Sequence, residues 1–513
     1  MSDESLLLNA IERVANAHPE RVAFRAPGAR DVTYDELWGM SSRIAAALAG
    51  SVDGRDPICV ICDKSALSVA AFLGCLRAGH AFVPVDIAMP DARIRGIVAQ
   101  LEGSPVLQAT QGAGPVELSG VTVRDAAALA KGAPARPAGE AERARWVRGE
   151  QTQYIIFTSG STGTPKGIEV TANDIGNFMA WMQGFPVVRD GGVTFIDQAS
   201  YSFDLSEYQL VGALSTGGCL FALPPQVTGD YRALFEALAD SGANVWVSTP
   251  SFADLCLVDP SFSQELLPGL RLFLFCGEAL HHTTASALME RFPAARVVNT
   301  YGPTESTVAV TYCEVGQADL DDPRPLQVGT PRPGTQIRII DPETGVRLGR
   351  GETGEIVIVG DTVAKGYINL PEKTAESFFD ASELGEHVRG YHTGDLGHLD
   401  EMGRLHCEGR MDDLVKLNGF RIELGDVERN LEALPAVDQA AVVTVKRGGV
   451  TRALKAFVVV NAAAPKGQMT PAALKAQLGE RVPAYMVPRT IKVLDSMPLN
   501  ANNKIDRAAL KGK

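Results

Sequence analysis

Four stretches of this chain repeat one grammar: an unbroken apolar run, then Gly, Ser, Thr or Pro, then a helical pattern. They are "QYIIFTSG" from Gln153, "ANVWVSTPS" from Ala243, "RLFLFCGEAL" from Arg271 and "RVVNTYGPTE" from Arg296. Continuous rather than alternating apolar runs suit strands covered on both faces, as in parallel sheets flanked by helices. "TTASALMERFPAA" supplies a helix between two of these strands, and its Phe-Pro marks the exit. Ligands of such sheets bind beyond the carboxyl ends of the strands, where the polar tails fall. The expectation is an α/β fold with a site assembled from post-strand loops.

The tail of the first run is the most unusual. Thr158 to Val170, "TSGSTGTPKGIEV", is dominated by Gly, Ser, Thr and Pro, with one lysine. It has too few apolar groups to pack as core and too specific a composition for a linker. Its form is G-x-x-G-x-x-K-G at Gly160, Gly163, Lys166 and Gly167. A Walker A loop needs Gly-Lys-Ser/Thr after a four-residue gap, and here Pro165 precedes the lysine. The chemistry is that of a phosphate loop on a different template: backbone N–H groups, the Ser159, Ser161 and Thr162 hydroxyls and Lys166 can wrap an anion such as pyrophosphate.

With 513 residues the chain exceeds one ordinary domain, and its 45% hydrophobic and 21% charged residues are those of a globular protein. The N-terminus lacks a basic n-region, and no apolar run approaches the ~18–20 residues that span a bilayer. A cytoplasmic protein without membrane insertion is expected. The formal net charge of −13 disfavours nucleic acid as a partner. Eight cysteines lie mostly inside apolar runs, as packed reduced thiols do. Cys59 and Cys62 form a C-x-x-C, but no second pair stands at zinc spacing, so the run reads as a buried strand. His281-His282 reads as a surface pair rather than a metal site.

Two domains are expected, 1–411 and 412–513. Residues 112–153 are weakly hydrophobic and read as a surface excursion. "GEIVIVGDTVAKGYIN" turns to shorter β elements, a small β-rich subdomain. Beyond Asp412, "QAAVVTVKRGGVTRALKAFVVVN" reads as two strands around a Gly-Gly turn, and "TPAALKAQLGERV" opens with Thr470 as N-cap and Pro471 at the first helical position. That α+β segment carries 16 Lys+Arg against 10 Asp+Glu, so a small basic unit follows a large acidic one.

Five motifs then stand in order: the loop above, "NTYGPTE", "YHTGDLG", "GRMDDLVKLNGFRIE" and "PLNANNKID". Together they resemble the adenylate-forming superfamily of acyl-CoA synthetases, luciferases and peptide-synthetase adenylation domains. The flanks "SFDLSEYQLVGAL", "NVWVSTPSFADLCLVDPSFSQ" and "LFLFCGEAL" look closer still to the branch of D-alanine–carrier protein ligases. The resemblance implies a multi-layer α/β N-terminal domain and a small mobile α+β C-terminal one. It also implies roles. ATP would be held by Thr158, Ser159, Gly160, Ser161, Thr162, Gly163 and Lys166. Tyr301 would offer a face to adenine, with Asn299 and Thr300 beside it. Thr304 would meet the α-phosphate and Glu305 a Mg²⁺ ion. Asp395, assisted by Arg410, would accept the ribose hydroxyls. Asp412 matches the hinge, and Lys504 the lysine that bridges substrate carboxylate and nucleotide.

Asp204 matches the position at which amino-acid-activating relatives pair the α-ammonium; a turn or N-cap aspartate is the other reading. Cys276 matches the position that meets a substrate methyl, with a packed core cysteine as its rival. With Leu205, Gly302 and Val308 in the implied pocket, an alanine-sized amino acid is expected. The product would pass as a thioester to the phosphopantetheine thiol of a separate acidic carrier protein, docked on the basic segment near Lys446, Arg447, Arg452 and Lys455. The enzyme is expected as a monomer. A free-standing adenylation enzyme of natural-product assembly, loading L-alanine or a similar amino acid, is the alternative. An acyl-CoA synthetase would not need Asp204, and a catalytically dead carrier-binding relative would not need Lys504, Glu305 and Asp395.

Overall fold

The computed structural model of the protein describes residues 5–52, 54–101, 103–118, 120–132, 139–159, 165–411, 414–447, 450–461, 464–498 and 505–511. The chain forms two compact units: Met1–Ile87, Gly103–Ile156 and Ile168–Met411 make the first, and Ala88–Glu102, Phe157–Gly167 and Asp412–Lys513 the second. Two short stretches of the 1–411 region thus cluster with the later one.

The apolar runs become parallel strands. Val245–Ser248 pairs in parallel with Thr194–Asp197 and Leu272–Phe275, and Leu272–Phe275 with Arg296–Tyr301, inside a nine-stranded sheet. Ile58–Cys62 pairs in parallel with Phe82–Asp86 and Val106–Ala109, and Phe82–Asp86 with Thr152–Thr158, inside a seven-stranded sheet. Every residue of Ile58–Cys62, Val245–Ser248 and Leu272–Phe275 is buried, which is what an unbroken apolar run needs to avoid wetting one face. Helices Ala66–Ala78 and Ser206–Leu214 are buried along their whole length as well, so they lie between layers rather than outside them.

Helix His282–Arg291 falls where its periodicity predicts, with a His282 ring nitrogen 2.9 Å from the Asp322 carbonyl oxygen. Cys59 and Cys62 sit in the buried strand, and burial pushes the Cys59 thiol up to about 12. One expectation fails in part. Within 112–153, Trp146 and Val147 are buried, and Trp146 meets Trp38 edge to face with ring centroids 5.8 Å apart. Leu118 and Ala126 are buried as well, and the low average hydrophobicity of the stretch hides these anchors, because a single indole buries as much area as several small residues.

The β-rich region forms a five-stranded antiparallel sheet from Thr335–Ile340, Gly354–Gly360, Phe378–Asp380, Arg389–Leu399 and Leu405–Arg410. Gly366–Tyr367 leaves it to pair with Lys166–Thr171 at the edge of the seven-stranded sheet.

In the second unit, Leu414–Leu417 and Phe420–Glu423 form a hairpin. Its Asn418-Gly419 turn has φ of 51° and 83°, the left-handed pair that fits strand twist at a two-residue turn. Strands Val437–Arg447, Val450–Val460 and Thr490–Leu494 make a three-stranded sheet. Helix Pro471–Gly479 is capped by Thr470, whose hydroxyl accepts the Ala473 N–H. Among the described residues, no helix is long and apolar enough to cross a membrane.

Candidate active site

In the first unit the site grows from the end of strand Arg296–Tyr301. The chain reverses through residues 302–310 and returns antiparallel as Thr311–Glu314, with the Val310 N–H bonded to the Tyr301 carbonyl at 2.8 Å. Only glycine fits at 302, since a Cβ there would stand 2.6 Å from Ala309 Cα and 2.7 Å from the Val308 carbonyl oxygen. Thr304–Ser306 forms a single 3₁₀ turn, and Thr307 and Val308 follow at φ 56° and 68°. Left-handed backbone at two β-branched residues is strained, on the order of 1–3 kcal/mol each. The Thr307 hydroxyl donating to the Thr362 carbonyl at 2.8 Å is one of the bonds that hold it.

That turn buries Glu305 completely, with Tyr367 donating its hydroxyl to Oε1 at 3.0 Å. Thr304 is buried beside it in the same turn. Tyr301 donates to Asp395 Oδ2 at 2.6 Å, and Arg410 Nη1 lies 2.5 Å from Asp395 Oδ1. The three residues expected around the nucleoside are therefore one cluster, built where Arg389–Leu399 pairs with Leu405–Arg410, Asp395 facing Arg410. Burial, then the Asp395 carboxylate, pushes the Tyr301 phenol well above its ordinary value, so it remains a donor. Asn299 gives its amide N–H to the Gln327 carbonyl at 2.8 Å, whereas its Oδ1 is buried without a partner among the described residues. The Ser306 hydroxyl is likewise buried and unpartnered. The Thr300 hydroxyl, by contrast, is engaged by the Phe275 carbonyl and by Tyr208, at 2.7 and 2.8 Å.

The expected amino acid pocket is partly assembled. The Cys276 thiol donates to the Val308 carbonyl at 3.5 Å, which ties the end of strand Leu272–Phe275 to the strained turn beside Gly302. Asp204 is buried at the start of helix Ser206–Leu214, and its carbonyl accepts the Glu207 N–H at 2.9 Å. The N-cap residue of that helix is Leu205, without a side-chain cap bond. Leu205 is packed in the core.

Two neighbours escaped the sequence reading. Tyr208 is a buried phenol joined to Thr300. Glu207 is a buried carboxyl whose pKa is pushed up to about 8 by burial and then by the Asp204 charge. The one available signal was an acidic residue three positions after Asp204, inside an otherwise apolar helix.

In the second unit the flanks of the Gly-rich loop meet the hairpin strand Phe420–Glu423. The Ser159 hydroxyl donates to the Arg421 carbonyl at 2.9 Å and accepts the Glu423 N–H at 3.1 Å. Lys166 Nζ lies 2.8 Å from Glu423 Oε1, both side chains nearly buried. Sequence reading assigned Lys166 to phosphate and gave Glu423 no role. Thr158 Oγ1 is buried without a partner among the described residues. Gly160, Ser161, Thr162, Gly163, Asp412 and Lys504 lie outside the described residues.

The comparisons with known proteins agree with this architecture. The AMP-binding enzyme model matches residues 11–368 and the AMP-binding enzyme C-terminal domain model residues 426–504. The chain belongs to the AMP-binding enzyme family, and is by that membership an ATP-dependent, AMP-forming ligase. Among curated relatives it is 40% identical to a D-alanine–D-alanyl carrier protein ligase of Bacillus licheniformis, over 98% of this chain and 99% of that one. It is also 40% identical to the enzyme of the same name from Lacticaseibacillus rhamnosus, over 98% of each. A solved structure of holo-PA1221, described as an NRPS protein containing adenylation and PCP domains, is 28% identical with a TM-score of 0.82, covering 98% of this chain and 83% of that one.

Proposed function

We propose that this enzyme activates an alanine-sized amino acid, D-alanine in the first instance, as its adenylate and passes it to the phosphopantetheine thiol of a separate carrier protein. The observation that carries this reading is 40% identity over 98% of the chain to an enzyme named for D-alanine, with the buried carboxylate Asp204 at the position expected to meet an α-ammonium. A carboxylate at that position offers a counter-charge to the α-ammonium that an amino acid brings.

The chemistry follows from the groups available. An oxygen of the substrate carboxylate attacks the α-phosphorus of ATP, and the bond to pyrophosphate breaks. Two anions meet in that step, so positive charge and donors must gather around them. Lys504 bridges carboxylate and nucleotide, while Thr158, Ser159, Ser161, Thr162 and Lys166 serve the phosphates, with Gly160 and Gly163 letting the backbone approach. Thr304 meets the α-phosphate. Asp395 and Arg410 hold the ribose, and adenine lies at Tyr301. Asn299 Oδ1, an acceptor without a partner among the described residues, suits an exocyclic amine.

Mg²⁺, when bound to Glu305, neutralises phosphate charge. Among the described residues no group of three or more His, Cys, Asp or Glu is assembled for a metal. Glu305 would supply a carboxylate to such an ion, a ligand type that Mg²⁺ commonly takes beside substrate phosphates. In the second half-reaction the carrier thiol attacks the acyl carbon and AMP leaves; a turn about Asp412 withdraws Lys504 beforehand. Exposed Lys446 and Arg452 on the long hairpin form a basic rim suited to an acidic carrier.

The test is amino-acid-dependent pyrophosphate exchange with both alanine enantiomers, glycine and serine, for wild type and Asp204→Ala. Wild type is expected to prefer one alanine enantiomer. Asp204→Ala should raise the amino acid KM by well over tenfold, since an ammonium left unpaired costs roughly 2–5 kcal/mol, while the ATP KM holds. Exchange driven equally by a fatty acid, or an Asp204 variant with unchanged amino acid kinetics, overturns the reading. Preference for L-alanine would instead support the natural-product alternative, to which the likeness to an adenylation–PCP protein also points.

A further inference from the structure

Three strands from the two large sheets end close together, and the polar groups at their ends lock onto one another. Lys64 follows strand Ile58–Cys62 of the seven-stranded sheet, and Asp197 ends strand Thr194–Asp197 of the nine-stranded sheet. Lys64 Nζ stands 2.5 Å from Asp197 Oδ1, with the two side chains 6% and 0% exposed. The other oxygen, Asp197 Oδ2, accepts the Tyr201 hydroxyl at 2.7 Å. The Lys64 ammonium also lies 3.8 Å from the centroid of the Tyr201 ring, which packs edge to face on Phe72 at 5.4 Å. Asp86, ending strand Phe82–Asp86, takes the neighbouring residues: Ser200 donates to Asp86 Oδ2 at 2.5 Å, and the Asp86 N–H donates to the Ser202 hydroxyl at 2.8 Å.

Residues 200–202 are thus gripped from both sides, two positions before Asp204. The grip continues into the helix: the Phe203 carbonyl accepts the Ser206 N–H at 3.0 Å and the Asp204 carbonyl the Glu207 N–H at 2.9 Å. A buried ion pair is a poor way to stabilise a fold, because desolvation consumes most of the attraction and apolar side chains of similar volume do as well. Burial pulls the Lys64 ammonium below its ordinary value, and the Asp197 charge opposes this. What such a pair does fix is direction: a lysine, a bidentate carboxylate and a phenol on a ring leave one arrangement of the 198–205 segment.

We propose that Lys64, acting through Asp197 and Tyr201, is a positioning residue for amino acid recognition, setting the 198–205 segment so that the Asp204 carboxylate meets the substrate ammonium. This rests on the reading of Asp204 given above. Lys64 touches no substrate; it decides where Asp204 stands.

The experiment measures KM and kcat for the amino acid and for ATP in pyrophosphate exchange, together with melting temperature. The variants are Lys64→Met, Tyr201→Phe, Asp197→Asn with Lys64→Met, and Asp204→Asn. Lys64→Met leaves a buried carboxylate uncompensated; the amino acid KM should rise tenfold or more and the ATP KM should stay within about twofold. Tyr201→Phe removes one hydroxyl from a ring that still packs on Phe72, so it folds even if Lys64→Met does not. It should raise the amino acid KM severalfold. The double variant relieves the stranded charge but still lacks the pair, so its melting temperature should recover while its amino acid KM stays raised severalfold or more. A merely structural cluster would lower melting temperature and active fraction, hence kcat, with KM for both substrates unchanged. That result in Tyr201→Phe and the double variant overturns the proposal. If Asp204→Asn shifts the amino acid KM and these variants do not, only the positioning role fails. If Asp204→Asn is also silent, the reading of Asp204 fails first.

Discussion

The turn after Tyr301 and the flanks of the Gly-rich loop are both post-strand segments assigned to the nucleotide, yet they are held in different ways. The 302–310 turn is closed by its own strand, with its closing bond from Val310 to Tyr301, its glycine required by the Ala309 backbone and its strain at Thr307 and Val308; Thr362, Tyr367 and Cys276 add remote support. Ser159 and Lys166 are instead held by Arg421 and Glu423, more than 250 positions later. The first turn's path is thus set mainly by neighbouring backbone. A loop held by a distant hairpin keeps its shape only while that hairpin is in place, and its groups can change partners when it is not.

The sharpest way to break this contrast is Gly302→Ala. The added Cβ meets backbone on two sides, so the turn itself must shift. A displacement of about 1 Å at a catalytic turn costs on the order of a hundredfold in rate. Pyrophosphate exchange should fall by about that factor, with Glu305 and Thr304 carried out of place. An exchange rate within threefold of wild type would mean the turn is compliant, and the contrast would collapse.

Glu423→Gln addresses the other region. It removes the Lys166 counter-charge while sparing the Ser159 bonds, which use backbone at 421 and 423. Lys166 is then released to phosphate. Adenylation should hold within about threefold, while transfer from supplied aminoacyl-AMP to a carrier thiol should drop roughly tenfold, the size of a charge-assisted hydrogen bond. Equal losses in both half-reactions, measured by exchange and by thioester formation, would show that Glu423 merely supports the loop.

The smallest effect concerns pH. Glu207 has a folded pKa near 8, above its ordinary 4.5, through burial and the Asp204 charge. The folded state therefore binds its proton more tightly than the unfolded chain does. Stability from this group is whole below about pH 4.5 and is lost as pH rises through 8. Glu207→Gln keeps the shape without the titration, so its melting temperature should gain on wild type by a few degrees between pH 6 and 9 and by nothing near pH 4. A constant offset across that range would remove Glu207 from the account.

Much of the first contrast was legible in the sequence. The unbroken runs "NVWVS" and "RLFLF" specify two-faced burial, and two-faced burial with intervening helices specifies parallel strands whose carboxyl ends gather the polar tails. "NTYGPTE", "YHTGDLG" and "GRMDD" name the groups that cluster as Tyr301, Asp395 and Arg410. Trp146 was not legible, because its burial depends on meeting Trp38 a hundred positions away. Nor were Glu207 and Tyr208, whose setting is decided by what packs around a fully buried helix.

The sequence by itself thus determined the strands, their tails and the chemical kinds of group the tails carry, because periodicity and composition are local and a strand end is a local event. Only the tertiary structure decided which of those groups meet. Asp197 and Lys64 read separately as two ordinary charges; at 2.5 Å across two sheets they become one fixed pair behind Asp204. Lys166 reads from its motif as a phosphate ligand, and only the fold sets Glu423 2.8 Å from it. Pairings of that kind depend on distances between remote segments, and distance across a fold is not a property of neighbouring residues.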